Sequence, residues 1–292
     1  MDNITKSINT PNSPQPALVE LEIEHGQQVA TLWLNRAELH NAFNAELIQQ
    51  LHQTLDAVHL REDIRVLILA GRGKSFSAGA DLNWMKQAGS ASQTENQADA
   101  LKLAQMLERL ATLKQPTIAR VHGVALGGGM GLASACDLCV ASDNAQFATS
   151  EVRLGLAPST ISPYVIRAIG ARQASRYFLT AERISATRAY QLGLAHEVTD
   201  LDDLDTKIQN IVQALLLGGP VAQHASKQLI AAVTDQSIDA ALLKSTAQHI
   251  AQLRQGDEAK DGLNAFLNKH SPSWHSQPEL TGREPKSGTQ QS

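Results

Sequence analysis

The sequence predicts an α/β fold, with largely parallel strands at its centre, helices outside them and a purely helical region toward the C-terminal end. Three observations predict it. The runs RVLILA and LCVAS are apolar without alternation, as strands covered on both faces are. Segments with helical periodicity separate such runs, so the order strand, strand, helix, strand opens the chain and the alternation continues. From about Ser159 the texture changes to helix after helix, broken only by GLAHEV.

Element by element, LVELEIEHG alternates apolar and acidic residues, and after a turn at Gly26 the run VATLWL reads as its antiparallel partner. Asn44 is placed to cap a helix in which Leu47, Ile48, Leu51, Leu55 and Val58 share one face, and RVLILA follows as a buried strand. The stretch GSASQTENQADA reads as a polar, mobile loop before a helix marked by Leu103, Leu107 and Leu110. TIARVHGVAL then reads as one strand, a helix begins in the glycines that follow, and LCVAS is the next strand. GLAHEV is a short strand after a helix stop at Gly193. Segments near 201–217, 220–233, 237–254 and 257–269 read as short helices with apolar faces, too small to form a core alone. They are expected to pack on the main domain or on another subunit. The expected organisation is a flexible tail over 1–16, a core over 17–200, a helical region over 201–270 and a second flexible tail over 271–292. No low-complexity array or internal repeat is visible.

Composition narrows the classes of function. With 42% hydrophobic and 18% charged residues over 292 positions the chain is ordinary globular material, enough for one large domain or two small ones. A net charge of -4 with scattered Lys and Arg argues against nucleic acid as a partner. The opening MDNITKSINTPNSPQP resembles neither a signal peptide nor an anchor, and no run reaches the length of a membrane span. Two cysteines in a chain of this length suit a reducing compartment, so a cytoplasmic protein is expected. Cys136 and Cys139 form C-x-x-C without the further ligands a zinc site needs, and read as buried structural thiols. The histidines show no metal spacing. No metal or redox cofactor is expected.

The stretch VHGVALGGGMGLASACD places Gly127, Gly128, Gly129 and Gly131 between a strand-like and a helix-like run. Such a turn exposes unpaired N–H groups at the positive end of a helix, which suits a negative charge. Two phosphate readings fail. A P-loop ending in GRGKS needs its first glycine at Ile68, and the dinucleotide fingerprint needs glycine at Leu132 or Ala125. A second turn, KSFSAGADLNWM, also follows a buried strand and sets Gly79 and Ala80 where an amide can face a ligand. Two turns that supply one N–H each to a single oxygen make an oxyanion hole.

NRAELHNAFN, FSAGADL, HGVALGGGMGLASACDL, FATSEVRLGLAP and DGLNAFLNK together resemble the enoyl-CoA hydratase/isomerase family, in order and spacing from about 18 to 270. The resemblance implies a crotonase-type spiral of β-β-α units with a C-terminal helical oligomerisation region, and trimers or dimers of trimers. It also implies that the amides of Ala80 and Gly128 hold the thioester oxygen of an acyl-CoA substrate. Family hydratases commonly carry one glutamate two residues after GGG and a second in the next strand-to-helix region; here these are Gly131 and Glu151. With one carboxylate, three reactions stay open: same-face hydration with Glu151 both activating water and delivering the proton, double-bond isomerisation, and decarboxylation.

Finer texture favours hydration. Glycine at 131, the segment SEVRLGLAPSTISPYVIRAIG and ADLNWM resemble bacterial 3-methylglutaconyl-CoA hydratases of leucine catabolism, with a related isohexenylglutaconyl-CoA hydratase of acyclic terpene breakdown as the alternative. Ser159, Thr160 and Ser162 are then candidates to bind the substrate's second carboxylate or the attacking water, against a plain helix-capping role for Ser159. By the same resemblance Arg36 and Lys74 lie near coenzyme A phosphates, and Phe266 and Lys269 approach it from the C-terminal helix. Ala78, Asp81, Leu82 and Gly127 belong to the substrate-contacting turns, Asp81 and Asp137 themselves reading as caps or turn formers. Trp84 and Met85 are expected to line the acyl pocket. Some relatives bind RNA through a lysine-rich first helix, but Ala45 to Leu60 contains no Lys or Arg.

Overall fold

The computed structural model describes residues 17–24 and 28–275, and the chain divides into two compact units between Gln213 and Ala214. The turn at Gly26, the tail expected over 1–16 and residues 276–292 lie outside the described residues.

In the first unit β1 (Val19–Glu24) and β2 (Val29–Leu34) pair antiparallel, Val19 opposite Leu34. The segment after β2 enters α1 (Ala45–Leu60), capped by Asn44, whose side chain accepts from Leu47 N at 2.8 Å. The apolar stripe read from the sequence is the buried face of α1. β3 (Val66–Gly71) is buried throughout and runs parallel to β2, as its unbroken apolar run requires. Next come α2 (Leu82–Ala88) and α3 (Gln93–Ala111). The stretch expected to be a loop is therefore mostly helix. Ser92 and Glu95 form a reciprocal capping box that starts α3 in the middle of the polar run, so its first turns are polar because they face water.

The run read as a single strand is two, β4 (Thr117–Val121) and β5 (Val124–Leu126), in different sheets. Gly123 breaks it at φ +60°, where a methyl group would meet Lys74 O at 2.2 Å. His122, buried, bonds through Nε2 to Gly73 O at 2.9 Å and fixes the corner. Then follow α4 (Gly128–Ala135), β6 (Leu138–Ser142), β7 (Gln146–Ala148), a 3-10 turn over Glu151–Leu154, and α5 (Ser162–Thr180), broken at Gly170. β8 (Ile184–Ser185), α6 (Ala186–Leu192), β9 (Glu197–Thr199) and α7 (Leu204–Leu216) complete the path. One sheet has the order β1-β2-β3-β4-β6-β9, the other β5-β7-β8.

The path repeats although the sequence does not. β4, β5 and α4 form one cycle: a strand in the large sheet, a short extended step beside it, then a helix. β6, β7 and the 3-10 turn at Glu151 form the next. In the preceding cycle the step is irregular. Ser77 bridges Ala125 and Ala80 bridges Phe43, so residues 77–80 lie between β5 and the segment leading into α1. Backbone path repeats here while side chains vary, which explains why self-similarity is invisible in the residues.

Asn41 clasps the first of these steps to its neighbours. Buried at φ +55°, a conformation asparagine tolerates better than most residues, it donates through Nδ2 to Arg72 O at 2.9 Å and Ser75 O at 2.8 Å. Its Oδ1 accepts from Arg36 N at 2.9 Å, and its own carbonyl accepts from Ser77 Oγ at 2.8 Å.

The second unit contains α8 (Pro220–Val233), α9 (Ala240–Gln255) and α10 (Asp257–Asn268). Glu258 accepts from the amides of Val221 at 2.9 Å and Ala222 at 2.8 Å, tying α10 to the start of α8. Residues 271–275, expected to be tail, are held to the helices. Ser273 N donates to Asp261 at 2.7 Å, and the Trp274 indole stacks on Gly262 and donates to Leu217 O at 3.1 Å. Ile230, Ile238, Leu243, Phe266 and Leu267 are exposed, in keeping with helices too short to bury their own faces. Among the described residues no helix is long and apolar enough to cross a membrane.

Asn41→Ala removes the partner of one buried carbonyl and of a partly buried carbonyl and amide, at about 1–3 kcal/mol for a buried group. The variant is expected to lose roughly 3 kcal/mol of stability, seen as a lower urea midpoint at unchanged slope.

Candidate active site

The residues predicted to act lie where an extended step hands over to a helix. Gly79 and Gly127 abut: a methyl on Gly79 would come 3.7 Å from Gly127 Cα and 2.8 Å from Leu126 O, and one on Gly127 would come 3.9 Å from Gly79 Cα. Both take positive φ, +90° and +48°. Glycine is favoured at Gly79 on two counts, space and conformation, and at Gly127 by conformation.

Each abutting glycine is followed by an amide with no internal acceptor. Phe43 N donates to Gly79 O at 2.6 Å and Asp81 N donates to Phe43 O at 2.8 Å, so Phe43 brackets Ala80. Alternation along the strand turns Ala80 N–H to the opposite side. Gly128 opens α4, where a first-turn N–H has no intrahelical acceptor. The Phe43 ring lies against Gly128, with Cε2 2.6 Å from where a methyl would stand. Gly129 is packed as closely on Ser77 O, also at 2.6 Å. The successive glycines thus serve different neighbours: strand backbone, aromatic ring and carbonyl.

Glu151 reaches the same junction from the following cycle. Its Oε1 lies 3.2 Å from the methyl position of Gly127. Its Oε2 is buried and has no hydrogen-bond partner. Burial pushes the carboxyl above the ordinary glutamate range, opposed by the amides of Glu151 and Ser150. A partly desolvated acid with one free oxygen, beside two unengaged amides, can exchange a proton at a carbon whose neighbouring oxygen those amides hold.

Other predicted positions divide into groups. Arg36 and Asp81 form a buried ion pair at 2.7 Å, and Arg36 Nη1 also donates to Ala42 O at 3.0 Å, so Arg36 is not a solvated cation. Asp81 caps α2 through the amides of Asn83 and Trp84. Burial would raise its carboxyl, but those amides and Arg36 hold it below the usual range. Arg36, Asp81 and Trp84 share the wall of a cleft of about 300 Å³ with Asn44 and Asn83. Trp84 is half-buried against the core, whereas Leu82 and Lys74 are exposed. Ala78 N donates to His40 O at 2.8 Å. Gly131 is buried under Ile161.

Ser159 is exposed, with Oγ 3.4 Å from Ala157 O. It does not cap α5; the cap position is Ile161, without a side-chain bond, and Ser162 Oγ donates to Ser159 O at 2.8 Å. Phe266 and Lys269 belong to the second unit, Phe266 81% exposed and Lys269 ending α10 at φ +57°. Asp137 accepts from Thr117 N at 2.8 Å and Oγ1 at 2.9 Å, the structural role read for it. Cys136 and Cys139 are buried and form no disulfide, and burial pushes the Cys139 thiol up to about 12. Sequence reasoning missed Asn41, Phe43 and Ile161 as site-forming residues. The first two stand inside the quoted segment NRAELHNAFN, but only tertiary contacts give them a task.

Comparison with known proteins identifies the family. Residues 24–277 match the family model described as enoyl-CoA hydratase/isomerase. The 2,3-dehydroadipyl-CoA hydratase of Escherichia coli is 33% identical over 87% of this chain and 98% of its own. The short-chain-enoyl-CoA hydratase of Clostridium acetobutylicum is 31% identical over 85% and 94%. The crystal structure of an enoyl-CoA hydratase from Shewanella pealeana superposes with a TM-score of 0.86 at 41% identity, covering 89% of this chain and 97% of that one. The chain has the crotonase fold and belongs to the enoyl-CoA hydratase/isomerase family.

Proposed function

We propose that this chain is an enoyl-CoA hydratase whose substrate is 3-methylglutaconyl-CoA, converted to 3-hydroxy-3-methylglutaryl-CoA. The observation that carries the hydratase reading is the meeting of Glu151 with the Gly79–Ala80 and Gly127–Gly128 turns. In the proposed reaction Glu151 takes a proton from water as the hydroxide oxygen bonds to the β-carbon. The π electrons of the double bond move onto the thioester oxygen, giving an enolate held by the amides of Ala80 and Gly128. Glu151 then returns the proton to the α-carbon on the same face. Water is consumed and no other reactant is needed.

Support for a substrate with a distal carboxylate comes from two sides. The Escherichia coli relative is named for a dehydroadipyl thioester, which carries one. The exposed Ser159 and the half-buried Thr160, following the Glu151 turn, are suited to meet such a group. Isohexenylglutaconyl-CoA shares that carboxylate and is the alternative substrate. Arg36 and Lys74 are proposed to act on the coenzyme A side, Arg36 by shaping the cleft through Asp81, and Phe266 and Lys269 to contribute from the C-terminal helices. The exposed apolar faces of α8, α9 and α10 support a homotrimer or a dimer of trimers.

Loss of the enoyl thioester absorbance is expected with 3-methylglutaconyl-CoA, and equal turnover of crotonyl-CoA would remove the proposed role of Ser159 and Thr160. Glu151→Gln is expected to lower kcat about 10²- to 10⁴-fold with the fold intact. The same substitution should stabilise the protein at neutral pH. The folded chain holds Glu151 at a raised pKa and so binds more protons than the unfolded chain between the two values; native stability falls as pH rises through that window. Melting curves of the two proteins should converge below the unfolded pKa and separate above the folded one, with the variant higher.

A further inference from the structure

Residue 131 stands one helical turn beyond Gly127, whose carbonyl accepts from Gly131 N at 3.0 Å. Positions four apart share a face, and helical side chains lean back toward the N-terminus. Any side chain at 131 would therefore project toward Gly127, and Glu151 Oε1 lies 3.2 Å from the methyl position there. That volume is already taken. A methyl on Gly131 would fall 2.3 Å from Ile161 Cγ2 and 2.9 Å from Ile161 Cβ. Ile161 is 2% exposed, and its carbonyl accepts from the amides of Tyr164 and Val165 at 3.1 Å each, so its backbone is fixed as the start of α5.

We infer that Ile161 is a specificity-determining residue: by filling the space beside Gly131, one helical turn from the glycine that Glu151 approaches, it keeps a second acid from the reacting carbons. The chemical half rests on the hydratase reading; the packing half does not. A second acid at 131 would help to activate water for an unbranched enoyl thioester, work worth roughly 10²-fold or more where a positioned acid supplies it.

The test is a set of variants read two ways. For packing, Gly131→Ala, Ile161→Ala and their combination are melted. The double variant is expected to lose less in Tm than the two singles summed, because the smaller residue at 161 admits the new methyl; additive losses, or a Gly131→Ala variant as stable as the native protein, overturn the inference. For chemistry, Gly131→Glu with Ile161→Gly is compared with Ile161→Gly alone on crotonyl-CoA and 3-methylglutaconyl-CoA. The ratio of crotonyl to methylglutaconyl turnover should rise at least about tenfold when the acid is added, and an unchanged ratio overturns the specificity role. Native protein that hydrates neither thioester overturns the hydratase reading and the chemical half with it, while the melting cycle still decides the packing half.

Discussion

Phe43 is the residue on which the two turns jointly depend. Its backbone bonds to Gly79 and Asp81 on either side of Ala80, and its ring seals the place where Gly128 would otherwise carry a side chain. One buried aromatic thereby sets the direction of one amide and the packing beneath the other. The site tolerates so little variation for this reason. Gly79, Gly128 and Gly129 each face a different close neighbour, and close-packed interiors do not yield to an added methyl without strain.

Charge is handled in two contrasting ways at short range in the sequence. Arg36 and Asp81 are buried as a pair, with the carboxylate also taking two helix amides and the guanidinium a carbonyl, so desolvation is offset by hydrogen bonds. Glu151 is half-buried, its Oε2 has no hydrogen-bond partner, and the amides of Glu151 and Ser150 only partly offset the burial that raises its pKa. A carboxylate whose pKa is raised by folding costs the fold stability at neutral pH. An acid that has to accept and release a proton gains from the same setting, because its pKa moves toward the working range. The two carboxylates differ in surroundings and not in kind: the surroundings hold one below the ordinary range and push the other above it.

The topology explains why these groups meet. A helix start leaves N–H groups without partners, and the end of an extended step leaves the chain free to turn. The crotonase path brings successive step-to-helix junctions side by side, at Ala80, Gly128 and Glu151, although 71 residues of sequence numbering separate the first from the last. The repeated backbone path is thus itself a device for collecting unpaired polar groups in one place.

By itself the sequence determined the class of fold, the hairpin, the buried central strands, the amphipathic helices and the two glycine turns, because each follows from local periodicity or from a conformation only glycine allows. It also carried Glu151, through the spacing of motifs that resemble the family. Tertiary structure alone decided the split of TIARVHGVAL between two sheets, the start of α3 within a polar run, and the ordered placing of Trp274. It alone decided that Asn41 clasps, that Phe43 spans both turns and that Ile161 occupies the space before Gly131. The physical reason is common to all of these: a periodicity reports which face of an element is buried, whereas contacts between residues distant in the chain depend on which elements the fold sets against each other.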